Sequence, residues 1–311
     1  MNAEAQCNLI IDTACDLPFA MVNVPGVQVL QFPYILSDGE HFDDMYASLS
    51  AHDFFELMHK GEVPSTSQIP IPALTDAFLQ AAQSGVPTVY LGFSSGLSGN
   101  FTTASLVCDQ VREAFPDAEL YAVDTHLASI AEGLLVYEAI RQRERGLTAS
   151  QMVAWANEAR FFVNELFTLD TLDALQRGGR IPASVAYADT KLNVKPMLDI
   201  TLDGKLGLKG LARGRKKAIR NLAEFYAKQA LPDGSSKFVI IGNADCPKDA
   251  ERLKDELLSI DESLVFLDAF IGPVIGSHVG RGMLALSFWG KDARDDVSIS
   301  ERIARKVRQT D

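Results

Sequence analysis

The chain is poor in the residues that build metal and redox centres. Its 311 residues include four cysteines and five histidines. Cys7, Cys15, Cys108 and Cys246 form neither a C-x-x-C pair nor a zinc-ligand spacing, so they read as reduced thiols of a cytoplasmic protein. His52 and His59 are too far apart in sequence to share one helical turn, and His41 with Asp43-Asp44 lacks a further ligand, which speaks against a metal site. Apolar runs break at Gly, Pro or charge well short of the roughly 18 residues of a membrane span. The first residues carry an acid, Glu4, where a secretion signal carries basic charge. The chain therefore reads as soluble, not as an integral membrane protein. Positive charge is short as well: 29 Lys and Arg stand against 41 Asp and Glu, a formal net of −12. Without a dense cationic run there is no grip on a phosphate backbone, so nucleic acid and anionic membrane surfaces are poor partners. Nucleotide and hydrolase signatures are missing too, with no Gly-rich loop ending in Lys-Ser/Thr, no G-x-G-x-x-G and no G-x-S-x-G.

What is present is apolar content, 47% of the chain, distributed as short buried runs alternating with longer helical patterns. That alternation predicts an α/β protein with a largely parallel sheet. Strands are expected over 8–12, 87–93 and 119–123, and helices over 51–59, 70–84, 100–115, 125–145 and 148–160. The stretch from 19 to 50 reads as mostly irregular. Near 161–168 the texture changes, and a division into domains 1–162 and 163–311 is the simplest account. The second half predicts a short helix over 169–176 and a hairpin of 195–200 with 206–211 around a two-residue Asp203-Gly204 turn. A basic helix over 214–229 follows, then a strand-helix-strand unit over 237–267, and a strand over 283–289. The charged tail 291–311 reads as a surface helix or a frayed end.

Four segments could carry chemistry. Ser94-Ser95-Gly96-Leu97-Ser98-Gly99 falls between an expected strand and an expected helix, where free backbone N–H groups, hydroxyls and the helix dipole favour an anion. A plain capping loop is the alternative. Ser65-Thr66-Ser67-Gln68 precedes another helix and offers hydroxyls either to cap it or to meet a ligand. The segment 271–282 reads as a glycine-rich loop holding His278, the one histidine of the second half, which is either a satisfied structural residue or a group that handles an anion or a proton near neutral pH. Finally Lys209, Arg213, Arg215, Lys216, Lys217 and Arg220 form a basic run, either a solvated face or guanidinium and ammonium groups aimed at a carboxylate or phosphate. Gly178-Gly179-Arg180 is a weaker case of the same kind.

Taken in order, Ile11 to Leu17, Thr66-Ser67-Gln68, Ser94 to Gly99, Asp124-Thr125, Leu175 to Arg180, Lys195 to Leu198, Arg213 to Ala218 and Ile271 to Gly282 resemble the DegV family of bacterial fatty-acid-binding proteins. Its members include the lipid-presenting subunit of fatty acid kinase. The resemblance implies two α/β domains, the first with a largely parallel and the second with a mixed sheet, holding a long-chain fatty acid in an apolar tunnel between them. By position it implies that Thr66, Ser94, Ser95 and Gly96 bind the carboxylate. His278 would then stand beside the head group, and Arg213 would support phosphate transfer or docking of the kinase. The chain departs from the family pattern at Thr13-Ala14, at Ile69-Pro70-Ile71-Pro72 and at Arg281.

The expected role is thus a carrier, not itself an enzyme, which needs no cofactor beyond its lipid and presents the carboxylate to a separate ATP-dependent kinase. Two rivals remain. One is a stand-alone enzyme on a small carboxylated or phosphorylated substrate, with Ser95 as ligand or nucleophile and His278 as base. The other is a lipid sensor whose output is conformation alone.

Overall fold

The computed structural model describes residues 5–181 and 193–296. Strands and helices are numbered along the chain. In the first half, β1 (Asn8–Asp12), β2 (Val27–Leu30), β6 (Thr88–Gly92) and β7 (Leu120–Asp124) form a parallel sheet in the order β2-β1-β6-β7. All of β6, Thr-Val-Tyr-Leu-Gly, is buried, as a strand covered by helices on both faces must be. Beside this sheet β3 (Pro33–Leu36), β4 (Gly39–Phe42) and β5 (Ser65–Thr66) make a small antiparallel sheet, ordered β4-β3-β5.

The second half is one mixed sheet. Its strands are β8 (Val163–Thr168), β9 (Val194–Ile200), β10 (Leu206–Arg213), β11 (Phe238–Asn243), β12 (Val265–Phe270) and β13 (Leu284–Trp289), in the order β10-β9-β8-β13-β11-β12. Only β11 and β12 run parallel. The α/β class and the contrast between a parallel and a mixed sheet are as the sequence predicted.

Ten α-helices lie among the described residues: α1 (Phe19–Val22), α2 (Ala51–His59), α3 (Ile71–Ser84), α4 (Asn100–Ala114), α5 (Ser129–Glu144), α6 (Ala149–Ala159), α7 (Asp173–Arg177), α8 (Arg215–Gln229), α9 (Pro247–Leu258) and α10 (Pro273–Val279). Local chemistry sets several ends. Ser50 accepts the Asp53 N–H at the start of α2, and Thr148 with Gln151 forms a capping box at α6. The central element is α5. It packs on β1, β8, β11 and β13, and Gly133 lets it approach the turn after β1, since a Cβ there would lie 2.4 Å from the Cys15 carbonyl oxygen. One apolar cluster consequently runs through both halves. A second fills the outer face of the six-stranded sheet beneath α8 and α9.

Four expectations change. The stretch from 19 to 50 contains β2, β3 and β4, each only four residues long and without a clean alternation of burial. The helix expected from 125 starts at Ser129, because the Thr125 hydroxyl donates to the Gly92 carbonyl (2.9 Å) and accepts the Leu127 N–H (3.1 Å), and such bonds compete with helix formation. The hairpin turn spans 201–205, not two residues, with the Lys205 N–H bonded to the Thr201 hydroxyl (3.1 Å). The glycine-rich segment is helical over Pro273–Val279. Pro273 occupies the first turn, where its missing N–H costs nothing, and a Cβ on Gly276 would press on Phe55 at 2.9 Å. The tail beyond 296 lies outside the described residues.

Candidate functional site

A cavity of about 410 Å³ opens where the two halves meet, within the range of small-molecule sites. Phe32 and Phe93 come from the first half, and Phe167, Leu175, Ile200 and Met283 from the second. The wall is therefore mainly apolar, with aromatic side chains carried on or next to strands.

Polar groups gather in one corner. Thr66 is held by β5, which pairs with Tyr34 of β3. Its Oγ1 lies 2.8 Å from Nε2 of His278 on α10. Arg180 follows α7, donating from Nε to the Leu97 carbonyl (3.1 Å) and from its guanidinium to the Gly178 carbonyl. Gly178 is needed there, since a Cβ would stand 2.4 Å from His278 Nδ1. Ser67, Gln68, Ser98 and Gly99 are also in the wall. Burial, and after it the Arg180 charge, pushes the His278 imidazole down to about 4, so it is neutral near pH 7. Burial also lowers Arg180, but a guanidinium stays charged at any physiological pH. The corner thus offers one fixed cation, a neutral imidazole and hydroxyls, a set suited to a carboxylate.

The serine loop sits differently from the expectation. Ser94 is fully buried. It donates to the Gly204 carbonyl (2.8 Å) and accepts the Gly96 N–H (3.1 Å), which ties the loop to the β9–β10 turn. Contact is close on both sides: a Cβ on Gly204 would meet Ser94 Oγ at 2.1 Å, and one on Gly96 would meet the Gly204 carbonyl oxygen at 2.5 Å. Ser95 is exposed, and its N–H donates to Asp124 Oδ1 (3.2 Å). Neither Ser94, Ser95 nor Gly96 is in the cavity wall, where the loop contributes Leu97, Ser98 and Gly99. Asp124 is pushed up by burial, but bonds from His126 and Ser95 outweigh that and hold it low. His126 pairs with Asp124 at 3.0 Å, and no hydrogen bond joins Ser95 to an imidazole among the described residues.

Half of the basic run is spent on acids. Lys209 pairs with Asp199 (2.9 Å), Arg215 with Asp249 (2.8 Å) and Lys217 with Glu224 (3.0 Å). Arg213 is exposed at the end of β10, away from the cavity wall. Arg281 bridges Glu56 and Asp245, both at 2.6 Å. Among the described residues no group of three or more His, Cys, Asp or Glu can hold a metal, and no helix is long and apolar enough to cross a membrane.

Sequence reasoning undervalued Arg180 and passed over Glu165 of β8, which also lines the cavity. The Gly178-Gly179-Arg180 run was the available signal for the first. The second lay in a strand read only as a change of texture.

Comparison with known proteins places this geometry. The profile of one family, described as "Uncharacterised protein, DegV family", matches residues 6–291. A DegV domain-containing protein of Clostridium perfringens is 33% identical over 282 residues, covering 91% of this chain and 97% of its own. A solved DegV family protein from Thermus thermophilus, described by its fatty acid binding, has a TM-score of 0.77 at 26% identity, over 92% of this chain and 100% of its own. The Streptococcus pneumoniae Fatty Acid Kinase (Fak) B3 protein, solved with linoleic acid, shares the fold with a TM-score of 0.79 at 19% identity, over 92% and 100%.

Proposed function

The chain belongs to the DegV family, and from that premise we propose that it binds a long-chain fatty acid in the cavity and presents the carboxylate to a separate ATP-dependent kinase. The observation that carries this reading is a mainly apolar cavity whose wall brings together Thr66, Arg180 and His278. A 16-carbon chain has about 14 methylenes, and at about 0.8 kcal/mol each their burial supplies on the order of 11 kcal/mol before association costs. The corner supplies what a carboxylate needs, since an unpaired buried charge costs several kcal/mol. Arg180 donates its guanidinium and Thr66 its hydroxyl, while neutral His278, with its one N–H on Nε2, donates to Thr66 Oγ1 and so aims that hydroxyl at the ligand.

The kinase half of the proposal draws on the fold shared with the pneumococcal Fak B3 protein and on the absence of a nucleotide motif in this sequence. Arg213, exposed and clear of the cavity, is assigned to contact with that partner. In this reading 1–162 and 163–311 act as two domains of a cytoplasmic carrier, with the ligand in their seam. Mass spectrometry of lipid extracted from the purified protein is the test. A co-purifying acyl chain, with affinity reduced about tenfold by Thr66→Val, is expected. No acyl chain on extraction and no binding on addition overturns the proposal.

A further inference from the structure

Glu165 is the part of the cavity wall that a plain acyl tail leaves unexplained. It lies on β8 two residues before Phe167, so both side chains share the strand face that lines the cavity. Its residue is 7% exposed, and its Oε2 has no hydrogen-bond partner among the described residues. Ser129, on the first turn of α5, puts a hydroxyl in the same wall, but that hydroxyl is already given to Asp16. The acids that act on it are Asp199, itself paired with Lys209 (2.9 Å), and Asp16. Burial, then Asp199 and Asp16, raises the Glu165 carboxyl well above its ordinary range, which favours its neutral, protonated form.

A protonated carboxyl is both an O–H donor and a C=O acceptor. Methylenes laid against it bond neither, and an unmade hydrogen bond in an apolar cavity is costly. A hydroxyl or oxo oxygen on the chain makes that bond without charge.

We propose that Glu165 makes the cavity selective for acyl chains bearing a hydroxyl or oxo oxygen at the position that reaches β8. This selectivity rests on the fatty-acid reading above. The test compares stearic acid with hydroxystearic acids whose hydroxyl occupies successive chain positions, each titrated into delipidated protein. One or a few adjacent positions are expected to bind about tenfold tighter than stearic acid. Glu165→Leu should erase that preference while still binding stearic acid. Glu165→Gln, close in volume and keeping a donor and an acceptor, should retain it even if the leucine variant fails to fold. Stearic acid binding as well as every isomer, or a preference that persists in Glu165→Leu, overturns the role of Glu165 and leaves the carrier function standing. Failure of every acid, plain or hydroxylated, removes both.

Discussion

Two seams join the halves of the molecule, and they are built in opposite ways. At the first, Ser94 and Gly96 meet Gly204 through backbone groups and a buried hydroxyl, with no room for one added carbon. At the second, Thr66 and His278 meet side chain to side chain at 2.8 Å and, with Arg180, line an open cavity. The closed seam fixes the geometry, and the open one uses it. Neighbouring serines in one loop can therefore serve different ends, Ser94 as a tie and Ser98 as part of the ligand wall.

The largest effect should come from breaking the closed seam. Gly204 has φ +76 and a Cβ that would overlap Ser94 Oγ, so Gly204→Ala is expected to cost about 3 kcal/mol in urea unfolding. Stability near wild type would show that the seam yields easily and that the contrast is overstated.

A middle effect sharpens the open seam. Arg180→Met should weaken fatty-acid binding by about 2 kcal/mol through the lost charge-assisted bond. It should also raise the His278 pKa from about 4 toward its ordinary value, leaving the part due to burial. NMR titration of the imidazole reads this directly. The sign for stability follows. Between about 6.5 and about 4 the unfolded chain takes up a proton that folded His278 refuses, so stability falls as pH drops through that window and levels off below it. Loss of Arg180 should narrow the window, and an unchanged titration would separate the two residues.

The smallest effect is the control. Ser95→Ala, at an exposed side chain outside the cavity wall, should change stability and fatty-acid affinity by less than about 0.5 kcal/mol. A loss of affinity as large as that of Arg180→Met would return Ser95 to the binding corner.

The strand, serine loop and helix from Thr88 to Ala114 were legible in the sequence because apolar runs, glycines and a helix start are local signals. Which side of that loop faces the ligand was not legible, because Gly204, over a hundred residues later, decides it by occupying the Ser94 side. His278 was found as a residue but placed in a loop, since glycine and proline usually interrupt helices. Here Pro273 sits in the first turn and Gly276 is required by Phe54 and Phe55. Glu165 gave no signal at all, because an acid within a short apolar run looks like an exposed edge until both faces of β8 are seen to be covered.

The burial of α5 has a consequence for how a ligand gets in. Ile130, Leu134, Leu135 and Val136 on that helix have no exposure at all, and the helix touches strands of both sheets. Swinging the halves apart like a clam shell would wet these side chains, at about 2 kcal/mol for each, which rivals the entire net stability of a typical domain. The interior therefore acts as a hinge pin that cannot be drawn, and traffic to the cavity must run through small peripheral movements while the frame stays shut.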